Sequence, residues 1–373
     1  MPWYDVPMRR DTFIRGTTAL SLGIAGLRGT ARAATSDPFD PQPGPWRAYE
    51  VITTVTIAPG DAAKVWVPIP SFTESSWMRP GTSTWSLDGD AQLKTDTRWG
   101  AKILYAQLRA DTKPRTVIVS STAATRDRRV DFSAPHAVSL SSDEWALYTA
   151  PTSFIPTDGI VKATADKITA GAASELEKAQ RIYSWVVANT YRNPKTRGCG
   201  LGNISFLLET GDLGGKCADL NGLVVGLARA AELPARDLYG IRVAPSAFGY
   251  KSLGANSSTI TKAQHCRAEI FVRDYGWVPA DAADVRKVML EEPPGNLGPN
   301  DPKVVDARET LFGAWEGNYV AYNDAHDVAL PGSSGDPVPF LMYPQAEVGG
   351  VRRDSLDAAT FIYEIGVSHV SNA

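Results

Sequence analysis

The sequence predicts an α+β chain of two domains, a β-sandwich over residues 46–132 followed by a mixed helix-and-strand domain over 133–373. Three observations lead there. Apolar residues alternate with period two from about Trp46, helical spacing takes over after Ser133, and 373 residues exceed what one small core fills. With 43% hydrophobic and 21% charged residues, the composition is that of a globular chain able to bury a large interior.

The first 33 residues stand apart. Arg9 and Arg10 precede an apolar run from Thr17 to Leu27, and Ala31-Arg32-Ala33 stands before Ala34, the charged, apolar and small-residue order of an export signal. The run is shorter than the roughly 20 residues a membrane span needs, so cleavage without a remaining membrane anchor is expected. The arginine pair followed by Phe13 resembles a twin-arginine signal, with two intervening residues instead of one, and Met8 is a second candidate start. Loss of residues 1–33 removes five Arg and two Asp and takes the formal charge from −3 to −6. The expected location is periplasmic or extracellular.

In the first domain Tyr49, Val51, Thr53, Val55 and Ile57 share one strand face, a Pro-Gly-Asp turn follows, and Val65, Val67 and Ile69 alternate again. Further strands are expected over Thr82–Ser86, Lys102–Arg109 and Arg115–Thr122, separated by Asp-Gly and Lys-Pro turn signals. Several short strands closely spaced read as a sandwich ending near Phe132. Beyond a Pro- and Ser-containing connector, Ser174 with Glu177 marks a helix start. Leu176, Ala179, Tyr183, Val186 and Val187 give that helix its apolar stripe up to about Thr190, before Asn193-Pro194.

The next helix carries the chemistry. In "GGKCADLNGLVVGLARAAELPAR", Leu220, Leu223, Val224, Leu227, Ala228 and Ala231 recur at three- and four-residue steps, while Asp219, Asn221, Arg229 and Glu232 fall elsewhere, so Cys217 opens an amphipathic helix that Pro234 stops. Free N–H groups and the dipole at a helix N-terminus favour a thiolate. Gly214 and Gly215 are expected to keep side chains off the sulfur and to admit a substrate carbonyl. Then "QHCRAEIFVRDYGWVPAD" reads as a hairpin turning at Asp274-Tyr275-Gly276, with His265 and Cys266 on opposite faces and Asp281 brought beside His265. Cys217, His265 and Asp281 are therefore candidates for nucleophile, general base and orienting acid in acyl transfer. Asp284 is the rival acid, with a turn or cap as its simpler role.

Other classes are disfavoured. Lys and Arg number 38 against 41 Asp and Glu, and no basic run is interleaved with aromatics, which argues against a nucleic-acid partner. Neither a P-loop nor a GxSxG elbow occurs. The three cysteines and four histidines make no CxxC or HExxH, so no metal site is expected. His136, His326 and His369 read as structural or solvent-facing. An exported cysteine is commonly disulfide-bonded. With three, a Cys199–Cys266 pair leaves Cys217 free, whereas Cys199–Cys217 or Cys217–Cys266 would silence it.

These motifs resemble the transglutaminase-like superfamily of papain-fold cysteine enzymes. The resemblance covers about Ala179 to Val285 and rests on "TGDLGGKCADLNGLVVGLARAAELPAR", "QHCRAEIF" and "YGWVPAD". It implies a papain-like core of helices on an antiparallel sheet, Cys217 as nucleophile, His265 as base and Asp281 as orienting acid, without a cofactor. It also makes Tyr191 and Trp185 candidates for a second oxyanion donor beside the Cys217 N–H. One departure stands out: the family commonly has a large aromatic soon after the histidine, where this chain has Cys266 and Arg267. The loop Val243–Lys262 is expected to border the site. The expected function is acyl transfer from a protein or peptide carboxamide, of the cell envelope given the export signal, through a Cys217 thioester resolved by an amine or by water. The alternative is an inactive papain-fold binding or scaffold module. Nothing in the sequence fixes an oligomeric state.

Overall fold

Alternation governs the first strands of the computed structural model, which describes residues 38–370; the expected export segment lies outside the described residues. Strands β1 (Arg47–Ile57), β2 (Ala63–Ile69), β3 (Met78–Leu87), β4 (Asp90–Thr95), β5 (Lys102–Leu108) and β6 (Arg115–Thr125) follow one another, with the short β7 (Arg128–Arg129) after them. The expected strands lie within these, except that Lys102–Arg109 runs one residue past β5. Strand β4, whose Ala91 and Leu93 alternate with polar residues but are not buried, was not foreseen. Val55, Ile57, Val65, Val67, Leu104, Ala106, Val117 and Val119, from β1, β2, β5 and β6, meet in one buried apolar cluster. Each of the Val, Leu and Ile side chains among them contributes about 1.5–3 kcal/mol.

Helices come next: α1 (Ser142–Thr149), α2 (Gly159–Thr169) and α3 (Glu175–Asn189). Ser174 caps α3 by accepting from the Glu177 N–H, and Ala179, Tyr183, Val186 and Val187 are buried along it, as the spacing requires. After β8 (Tyr191–Arg192), α4 (Ile204–Thr210) and β9 (Gly214–Gly215) comes α5 (Cys217–Ala230). Every residue of α5 is buried, so the polar face of the expected amphipathic helix is covered as well as its apolar one. Its polar side chains have internal partners: Asp219 accepts from the N–H groups of Leu201 and Gly202, and Arg229 donates to the carbonyls of Ala235 and Ala150.

Strands β10 (Ala235–Arg242), β11 (Gln264–Val272), β12 (Gly276–Pro279) and β14 (Tyr319–Asn323) form an antiparallel sheet in the order β12-β11-β10-β14, while α6 (Ala282–Glu291), α7 (Pro302–Thr310) and β13 (Ala314–Trp315) fall between β12 and β14. Leu223, Val224 and Leu227 of α5 share the main core with Ala268 and Ile270 of β11. The opposite sheet face is ionic. Glu269 accepts from Arg236 at 2.7 Å and pairs with Arg128 of β7.

The strands after β14 do not all stay with the helices. After β15 (His326–Val328) and β16 (Val338–Phe340), the chain returns to the first sheets: β17 (Gln345–Val348) pairs with β2 and with β18 (Val351–Arg352), and β19 (Ile362–Val370) pairs with β1. The sheet orders are β19-β1-β6-β3 and β18-β17-β2-β5-β4. Without these partners β1 and β2 would present unpaired N–H and C=O groups at open edges. No helix among the described residues is long and apolar enough to cross a membrane.

Candidate active site

Cys217 begins α5 at the end of a tightly held loop. Asp219 clamps this turn, its Oδ2 accepting from the Lys216 N–H at 3.0 Å and its Oδ1 from Leu201 and Gly202 at 3.0 and 2.9 Å. The two glycines before Cys217 serve that packing. A Cβ on Gly215 would lie 2.5 Å from the Asp219 Cβ, and one on Gly214 would lie 2.2 Å from the Tyr191 ring. The expectation that they hold a path open to the sulfur is thus replaced by close approach of two neighbouring side chains. Cys217 itself is 4% exposed. The N–H of Ala218 is taken by the Cys199 carbonyl at 2.9 Å, whereas that of Cys217 makes no hydrogen bond among the described residues.

His265 lies near the start of β11 opposite Gly240. Its Nε2 is 2.8 Å from Asp281 Oδ2 and 3.4 Å from Asp284 Oδ1. A carboxylate only accepts, so Nε2 carries the proton and Nδ1, which has no hydrogen bond among the described residues, is the nitrogen left for a reacting group. Burial pulls the imidazole pKa down and Asp284 and Asp281 push it up, the carboxylates prevailing over both burial and the nearby Arg242, so it is raised. Tyr319 stands edge-on to the ring and donates to the His265 carbonyl at 3.1 Å.

Asn221, one turn along α5 from Cys217, joins the parts. Its Nδ2 donates to Asp281 Oδ1 at 2.9 Å and to the Cys266 carbonyl at 2.8 Å, and its Oδ1 accepts from the Ala283 N–H at 3.1 Å. Asp281 also caps α6, accepting from the Asp284 N–H. Asp284 is more than the turn or cap residue expected. It is buried, gripped by both oxygens by the Arg242 guanidinium at 2.5 and 2.6 Å, and held well below the usual carboxylate range by Arg242 and His265 against its burial. Arg242 also donates to the carbonyl of Leu253, which brings the loop Val243–Lys262 against this cluster. Arg267, standing where an aromatic was expected, is buried with its guanidinium over the rings of Trp315 and Tyr319. The sequence reading missed Asn221 and Arg242; the signal for Asn221 was its four-residue spacing from Cys217.

The three cysteines converge. The sulfurs of Cys199, Cys217 and Cys266 lie within 4.8 Å of one another, all three residues buried and none in a disulfide. Burial pushes the Cys266 thiol up, while hydrogen bonds from Cys217 and Cys266 pull the Cys199 thiol down. No hydrogen bond joins Cys217 Sγ to His265 among the described residues. The structure therefore places His265 with Asp281, and Cys217 with the two other cysteines. The two oxyanion candidates have other partners. Tyr191 donates to Asp212 Oδ1 at 2.7 Å, and Trp185 packs half-buried on the main core; neither donates to the cysteines or to the His265 cluster among the described residues. His326 is buried against Tyr239, and His369 stacks edge-on to Tyr49.

The family model of the transglutaminase-like superfamily matches residues 162–282, which contain Cys217, His265 and Asp281. An uncharacterized protein of Haemophilus influenzae Rd is 36% identical over 319 residues, spanning 80% of this chain and 84% of its own length. This chain belongs to the transglutaminase-like superfamily. The fold of this transglutaminase-like chain is similar to the crystal structure of a candidate cysteine protease from Cytophaga hutchinsonii. The TM-score is 0.55 at 13% identity, covering 88% of this chain and 93% of the other. At that identity the likeness concerns the fold alone.

Proposed function

We propose that this transglutaminase-like chain is an exported cysteine acyl-transfer enzyme acting on a protein or peptide carbonyl of the cell envelope. The observation that carries the reading is His265, anchored through Nε2 to Asp281 with Nδ1 free, on a strand tied by Asn221 to the helix that Cys217 opens. In the reacting state Cys217 Sγ turns from the other cysteines toward Nδ1 and gives it a proton. The thiolate attacks the carbonyl carbon, and the free Cys217 N–H faces the developing oxyanion. Collapse breaks the C–N bond, the amine leaves with the proton from His265, and a thioester remains. Water then attacks, its proton passing to His265, and collapse breaks the C–S bond, releasing the acid while His265 returns the proton to the Cys217 sulfur. An amine acceptor would use the same steps. The 4% exposure of both Cys217 and His265 favours the smaller acceptor, water.

The test is mass-spectrometric trapping of an acyl-enzyme with activated peptide amides. We expect one adduct, on Cys217, and for Cys217→Ala a turnover lower by about 10⁴-fold or more with melting unchanged. Unchanged turnover in that variant overturns the reading. One observation favours a second reading, a non-catalytic binding module: the Cys217 sulfur sits with two thiols and not with His265. That module forms no adduct with any acyl donor.

A further inference from the structure

We propose that Cys199, Cys217 and Cys266 form a binding site for one thiophilic closed-shell metal ion, for which zinc is the probe. The chain has three cysteines, 18 and 49 residues apart, and all of them meet at one point. They come from separate pieces of structure: the loop before α4, the first residue of α5 and the third residue of β11. Apolar packing alone gives no reason for every thiol in the chain to converge, and a disulfide would use only two. Their sulfurs lie within 4.8 Å of one another. A tetrahedral ion with metal–sulfur bonds of about 2.3 Å sets its sulfurs about 3.8 Å apart, so small side-chain rotations suffice to close the site.

The surroundings hold the ligands in place. The Cys199 N–H donates to the Tyr343 oxygen at 2.9 Å, the Cys199 carbonyl accepts from Ala218 at 2.9 Å, and the Cys266 carbonyl accepts from Asn221 at 2.8 Å. Leu220, Tyr239, Phe340 and Met342 complete a dry apolar shell. Such support keeps soft ligands oriented, and three thiolates select soft ions over magnesium or calcium. Each ligating thiol releases its proton to water as the metal binds. The site does not depend on catalysis. Only its consequence rests on the proposed function: a bound ion occupies the Cys217 sulfur, so metal loading and acyl transfer exclude each other.

The experiment is titration of the reduced full-length chain with cobalt(II), a spectroscopic stand-in for zinc. We expect a sulfur-to-cobalt charge-transfer band saturating at one equivalent and abolished by zinc. Cys199→Ser and Cys266→Ser should each weaken binding about 10-fold or more. Zinc should protect Cys217 from iodoacetamide in the wild-type chain but not in Cys199→Ser. Absence of the band in the reduced wild-type chain overturns the site, whatever the variants do, as does a band that neither serine variant diminishes. A metal-free chain that forms no acyl-enzyme yet gives the band leaves the site standing and removes only the catalytic reading.

Discussion

The two faces of β11 are both buried, yet they solve the problem of charge in opposite ways. Cross-strand pairing puts His265, Arg267 and Glu269 with Gly240, Leu238 and Arg236 on one face, and Cys266, Ala268 and Ile270 with Tyr239, Asp237 and Ala235 on the other. On the first face the ionisable groups have partners. Glu269 has Arg236 and Arg128, and near its edge Asp284 has Arg242, with His265 beside it. On the second, Asp237 has no charged partner within hydrogen-bond reach, its nearest ring nitrogen being His326 Nε2 at 3.6 Å, on an imidazole that burial keeps neutral. Neither of its carboxylate oxygens makes a hydrogen bond, and burial pushes its pKa up to about 7 despite Arg229. The ionic face can therefore hold a fixed charge arrangement for proton transfer, while the other favours neutral groups and soft sulfur.

If the ionic face organises proton transfer, its loss should show first in rate. Asp281→Asn keeps the shape of the helix cap but removes the acceptor that fixes the His265 tautomer. Acyl-enzyme formation in single turnover should slow by about 10⁴-fold, as in other triads. Arg242→Met strands the buried Asp284 carboxylate. Denaturant unfolding at neutral pH should show a loss of about 3–5 kcal/mol, partly restored by adding Asp284→Asn; a loss below 1 kcal/mol would mean that water reaches this face. Asn221→Ala crosses from one face to the other, leaving the Cys266 carbonyl and the Ala283 N–H unpaired. About 1–3 kcal/mol should be lost, with kcat falling and KM unchanged.

The smallest effect concerns the apolar face. Because the Asp237 pKa is about 7 in the folded chain and near 3.8 unfolded, the native state binds the extra proton between those values. Its stabilisation is thus complete below about pH 4 and declines as pH rises to 7. Melting temperatures of the wild type and Asp237→Asn, compared at pH 4.5 and pH 8, should shift by a few degrees in favour of the asparagine variant at the higher pH. Parallel curves would show that the two faces do not differ in this way.

Much of this was readable from residue order. Period-two alternation located β1, β2, β5 and β6 because their inward residues face a core, and the cap at Ser174 and the stop at Pro234 bounded two helices. The hairpin that brings Asp281 to His265 was readable because its turn is short. What failed to show depends on contacts far apart in sequence. Asn221 and Asp219 read only as falling off the apolar stripe, because helical spacing shows which residues are polar, not whether a polar face is covered. Arg242 and Asp284 are 42 residues apart, and no local pattern joins them. The meeting of Cys199, Cys217 and Cys266 is likewise a product of three separate segments.

The return of β19 to β1 also bears on how the protein is made. Val51 pairs with Val367, so one sheet gains its outer strand only from residues more than 300 positions further along the chain. Closing so long a loop is entropically slow and comes late in folding. A nascent chain leaving the ribosome amino end first therefore carries β1 with a bare edge until residues 362–370 have been made. The first sheets cannot mature as a finished unit ahead of the cysteine-bearing core.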